Sequence, residues 1–181
     1  MALLVLGVLL WALPHLGKRI VPGFHRGLKG SERPMVTGLV SLGIVLMVIG
    51  YRMSDGAVFW GRHPATVGIN NLLMLVSVYL FAASGMKTAL ARKMRHPMLI
   101  GMVLWCVAHL LVNGDVPSFV LFGGLGLWAV LEIVLINRAV PKWTPPKAKP
   151  AKFEAMALGG TLVVYGAVVG VHYLLGYPTF G

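Results

Sequence analysis

Acidic residues are scarce in this chain: five Asp and Glu stand against sixteen Lys and Arg in 181 residues. The five are scattered, which excludes the paired carboxylates that general acid–base work requires. Cysteine is scarcer still. The one residue of this type, Cys106, permits no internal disulfide, and no CxxCH segment is present for covalent haem attachment. Structural zinc, which takes four ligands and often several thiolates, is disfavoured on the same ground. The chain also lacks a phosphate-binding glycine loop, an internal repeat and a nucleophilic Ser/His/Asp arrangement. Charged residues of both signs make up only 12% of the sequence, far below the level of a soluble globular domain. At this length there is no room for a separate soluble module beside one domain.

What is present is apolar. Hydrophobic residues make up 57% of the chain and the mean hydropathy is +0.82. Six runs read as spanning helices, at about residues 2–16, 35–52, 66–86, 97–113, 116–137 and 155–176. The expected fold class is therefore all-α, a polytopic integral membrane helix bundle with about six transmembrane helices. The first and fourth runs are short for a full crossing, so their ends lean on protein or on snorkelling flanks.

The gaps between the runs carry the charge. Lys18, Arg19, Arg26, Lys29 and Arg33 fall in the first gap; Lys87, Arg92, Lys93 and Arg95 in the third; Arg138, Lys142, Lys147, Lys149 and Lys152 in the fifth. Only Arg52, at the end of the second run, and Arg62 lie on the other side. By the positive-inside rule the three basic gaps face the cytoplasm and both termini face outward, in a bacterial inner membrane. The net charge of +11 thus meets anionic lipid headgroups rather than nucleic acid, because it forms no stripe with interleaved aromatics. The N-terminal run has no basic region before it and no small-residue cleavage site after it, so it reads as a retained helix and not a signal peptide. Residues 141–150, PKWTPPKAKP, are expected to be extended and to lie against the headgroups. Asn113-Gly114-Asp115 reads as a tight turn in which Gly114 ends helix four and Asp115 caps helix five. Gly166 and Gly170 in the sixth run fit a close helix–helix approach.

Candidate chemistry resides in the histidines. His25 and His63 lie in gaps, while His15, His96, His109 and His172 lie in or at the ends of helices. A histidine in hydrocarbon needs a partner or a job, and four of them in six helices suit a bound group with nitrogen ligands. A b-type haem fits a helix bundle and asks for one or two axial histidines. Cys106 and His109, three apart, share one helix face. At 1.5 Å per residue His109 lies about 18 Å along its helix and His172 about 26 Å along its own, so depth pairs His15 with His96, or His109 with His172. Glu132 is the one deep acid: it is paired with a base such as Arg138 or Arg95, or it carries protons. The tryptophans Trp11, Trp60, Trp128 and Trp143 read mostly as interface anchors; Trp105, four residues before His109, is placed to line a pocket.

Three segments carry a family resemblance: LLVLGVLLWALPHLGKR, LVSLGIVLMVIGYR, and RHPMLIGMVLWCVAHLLVNGDVPSFVLFGGLGLWAVLE, with GVHYLLGYP closing the chain. In these the chain resembles NnrU-type bacterial membrane proteins, which are related to the plastid zeta-carotene cis-isomerase, and the likeness covers residues 1–181 as one transmembrane domain. The resemblance implies haem b held by His15 and His109, with Cys106 as an alternative ligand; the depth estimate keeps His172 as the substitute ligand. It implies a part in nitrite and nitric oxide metabolism; the alternatives are a haem-dependent polyene cis-trans isomerase, and a non-catalytic accessory or assembly subunit of a membrane oxidoreductase. Partners would be the bilayer and other membrane subunits. Pro14 is the feature expected to break helix one and redirect His15.

Overall fold

The computed structural model describes residues 1–21, 23 and 32–180; His25, Arg26 and Lys29 lie outside them. The elements in chain order are α1 (Ala2–Ile20), α2 (Glu32–Arg52), β1 (Val58–Trp60), α3 (Pro64–Met86), α4 (Ala89–Lys93), α5 (Pro97–Val112), β2 (Gly114–Asp115), α6 (Val116–Ser118), a π turn (Phe119–Gly123), α7 (Gly124–Ala139) and α8 (Lys152–Leu174). The chain is an all-α, membrane-type protein. Among the described residues α1, Arg33–Arg52 of α2, α3, the continuous run Val116–Ala139 and α8 are long and apolar enough to cross a membrane, and α5 is a shorter apolar helix. These match the six runs expected from the sequence.

Two boundaries differ from expectation. Helix α1 continues through Pro14 to Ile20, although proline removes a backbone donor. In a helix hidden from water the propagating apolar face outweighs one lost hydrogen bond. The gap after α3 contains the short helix α4, entered through Lys87 in the left-handed conformation (φ 58°).

The chain divides into two compact units, one of residues 1–60 and 114–140, the other of residues 61–113 and 141–181. In the first, α1 packs against α2 with almost no side chain between the backbones. A Cβ on Gly7 would lie 2.7 Å from the Met47 nitrogen, and one on Gly50 would run into the Leu4 backbone. Leu4 is fully buried. As α1 advances from Leu4 to Trp11 its neighbours on α2 recede from Gly50 to Gly43, so the two are antiparallel. Beyond the C-terminal end of α2 the same unit has a small antiparallel strand pair. Val58 faces Asp115 and Trp60 faces Gly114 in β1–β2, the Trp60 ring lying on Gly114 where any Cβ would collide. Asp115 caps the following helix as expected: its Oδ1 accepts from Ser118 N at 2.8 Å and its Oδ2 from Ser118 Oγ at 2.9 Å. That commits the serine proton, so the Tyr51 hydroxyl at 2.8 Å donates to Ser118 Oγ.

In the second unit α3 is central, with α5 and α8 packed on it. Gly101 admits α5 to within 3.1 Å (from an added Cβ) of the Ser77 carbonyl, and Ser77 Oγ donates to the Gly101 carbonyl at 2.7 Å. Asn71 Nδ2 donates to the Thr179 carbonyl at 3.0 Å, which fastens the segment after α8 to the start of α3. Gly166 and Gly170, expected at a close approach, have nothing within 4 Å of an added Cβ. The close approaches fall instead at Gly7, Gly43, Gly50 and Gly101, where helices are antiparallel neighbours.

These two kinds of glycine make opposite predictions. Gly50→Ala forces α1 and α2 apart and lowers stability by about 1–3 kcal/mol, the usual effect of overpacking. Gly170→Ala meets open space and raises helix stability by about 0.5–1 kcal/mol. Thermal unfolding of the two variants in the same detergent would show melting shifts of opposite sign; shifts of the same sign would refute the seam.

Candidate functional site

The histidines separate by local role. His63 is the N-cap of α3, its side chain accepting from Ala65 N at 3.3 Å while Thr66 Oγ1 accepts from His63 N at 3.2 Å. His96 is the N-cap of α5, directly before Pro97. His15, His109 and His172 are interior to helices, and they share one device. Each ring donates Nδ1–H to the carbonyl one turn back: His15 to Trp11 at 2.6 Å, His109 to Trp105 at 2.8 Å, His172 to Val168 at 2.8 Å. A donated Nδ1–H fixes the neutral tautomer and puts the lone pair on Nε2. This is the arrangement by which metal-ligating histidines are held elsewhere.

In the first unit His15 sits among large rings. Trp11 and Trp128 lie 5.2 Å from it and 5.4 Å from each other, measured between ring centroids. The two tryptophans are not interface anchors, as sequence position suggests, but neighbours of the histidine. Both indole N–H groups are buried, and neither meets an acceptor. A buried donor without a partner is costly, and here two of them flank one histidine. One turn further along, Arg19 Nε donates to Glu132 Oε2 at 2.9 Å, and Glu132 is only 5% exposed. Glu132 is therefore paired, but with Arg19 in place of Arg138 or Arg95. The reason is direction: α1 and α7 run parallel, so His15 meets Trp128 and the next turn of each helix brings Arg19 to Glu132.

In the second unit Cys106 and His109 lie on one side of α5. Cys106 is 2% exposed and unoxidised. The Trp105 ring lies 4.7 Å from His109 between centroids, and Asn113 Nδ2 donates to the His109 carbonyl at 2.9 Å, closing the helix end. His172 lies on α8, in the same unit. Among the described residues no three His, Cys, Asp or Glu converge as a metal site.

The helices, their apolar faces and the buried histidines define a multi-pass membrane protein whose polar chemistry is concentrated at His15 and at His109. A family model described as NnrU protein matches residues 3–179, nearly the whole chain, and the chain belongs to the NnrU family. No curated protein and no solved structure matches it.

The sequence does hold a signal for the ring cluster: Trp-x-x-x-His occurs twice, at Trp11/His15 and Trp105/His109, and Trp128 precedes Glu132 by the same four residues. The partners across helices leave no such trace. Arg19→Ala should destabilise the protein by about 2 kcal/mol, somewhat below the roughly 3–5 kcal/mol of a wholly buried pair, since Arg19 keeps 34% of its side chain accessible. Arg19→Met with Glu132→Leu should recover most of that loss in detergent unfolding. A double variant no better than Arg19→Ala would show that the pair does not stabilise the fold in this way.

Proposed function

We propose that the chain is a haem b-binding membrane protein of the NnrU type that serves nitrogen-oxide metabolism. One observation carries the reading: the interior histidines each lock Nδ1 onto a helix carbonyl, which prepares Nε2 for a metal. His109 is the first ligand, in an apolar helix beside Cys106 and Trp105. His172, in the same unit, and His15, which the family resemblance favours, are the candidates for the second. The unsatisfied Trp11 and Trp128 N–H groups also support a bound group with acceptor atoms near His15. Haem, when bound, would supply an iron at which exchange of an axial ligand opens a position to a small or polyene ligand. The chain's own part is to hold each imidazole in one tautomer, exclude water, and keep the Cys106 thiol beside the His109 face.

The test is an absorption spectrum of detergent-purified protein made with haem supplementation. Wild type should show a Soret band, His109→Ala should lose or shift it, and whichever of His15→Ala and His172→Ala does the same names the second ligand. A wild type without Soret absorbance ends the haem reading. For topology, the basic gaps support an inner-membrane orientation with both termini periplasmic. Alkaline phosphatase joined after residue 180 should be active and the same enzyme joined after Lys93 inactive; the reverse pattern would invert the orientation.

A further inference from the structure

A cavity of about 250 Å³ lies in the second unit, lined by Ser84, Lys87, Arg95, Trp143 and Thr144, with Ala91 and two prolines completing the wall. It sits where α3 ends and α5 begins, the depth at which a spanning helix meets the headgroups. Two cations, two hydroxyls and one indole are the polar side chains of its lining, and none of the lining residues is acidic. The nearby acid Glu154 is committed elsewhere: its Oε1 accepts from the Ala89 backbone N–H at 2.6 Å and so caps α4.

Two features shape the cavity. Lys87, the residue that ends α3, holds a left-handed backbone (φ 58°) that turns the chain at the edge of the lining. The outer wall comes from the proline-rich segment 141–150, which brings Trp143 and Thr144 against Lys87 and Arg95. That segment has no helix or strand, and its prolines reduce the conformational freedom it would otherwise lose in lining a site. At about 250 Å³ the cavity has room for a compact anionic group.

We propose that this cavity binds a phosphate group, held by Lys87 and Arg95 with Ser84 and Thr144 as hydroxyl partners. Basic pockets at the ends of membrane helices hold anionic lipid headgroups in this way, and a phosphatidylglycerol headgroup is one carrier of that chemistry; free phosphate is the other. The site is independent of the histidines and of any haem.

The experiment uses the full chain in nanodiscs and in detergent, with native mass spectrometry of retained lipid. Phosphatidylglycerol should be retained over phosphatidylcholine, and Lys87→Asn (asparagine tolerates the left-handed backbone) and Arg95→Gln should each weaken retention about fivefold, the value of one cation near an anionic surface. Lys147→Gln, which removes the same charge from outside the lining, should change nothing. If inorganic phosphate binds and the two variants weaken it while phosphatidylglycerol is not preferred, the phosphate group is confirmed and its source is soluble. Equal retention of both lipids with no phosphate binding, or an equal loss from Lys147→Gln, overturns the site.

Discussion

Hydrocarbon offers a polar side chain no water, so each one inside a spanning helix must find a partner within the protein. The commonest solution here is the carbonyl one turn back on the same helix. His15, His109 and His172 use it through Nδ1, and Thr161 uses it with the Ala157 carbonyl at 2.6 Å. A neutral histidine tied in this way has one tautomer and one ring orientation.

The same constraint separates the polar contacts that cross between helices from those that do not. Where two backbones approach closely, as at Ser77 and Gly101, a hydroxyl can reach a neighbour's carbonyl. Where a charge must be buried, a base from another helix is needed, and Arg19 supplies it to Glu132. Around His15 the satisfaction is incomplete, with two indole N–H groups lacking acceptors. The second unit places Cys106 and His109 on α5 and His172 on α8, helices that share α3 as their support. Its basic cavity lies instead among the residues that join α3 to α5 and the segment that leads into α8.

Much of this was legible in the residues. Hydrophobic run length located the five helices long enough to span, because each must present about the same apolar length to a bilayer, and the shorter α5 with them. Asp115 and His96 announced themselves as caps through the turn and the proline beside them. Glu132 was recognisable as a paired acid, but its partner was not, since Arg19 is 113 residues distant and only the parallel course of α1 and α7 brings them together. Small residues were misleading in the same way: Gly166 and Gly170 have the spacing of a packing motif, yet the packing belongs to Gly7, Gly43 and Gly50. Pro14 was expected to end a helix, a rule that holds where water competes for the freed carbonyl and fails here.

Sequence alone determined the class of protein, the positions of its spans, the alternation of basic gaps and the membership in the NnrU family, because these depend on composition and local order along one chain. Tertiary structure decided which tryptophans surround His15, which base neutralises Glu132, which glycines carry the seams, and that a proline-rich linker lines a basic cavity. Each of those is a contact between residues far apart in sequence, and its energy depends on helix direction and rotation, neither of which a run of apolar residues specifies.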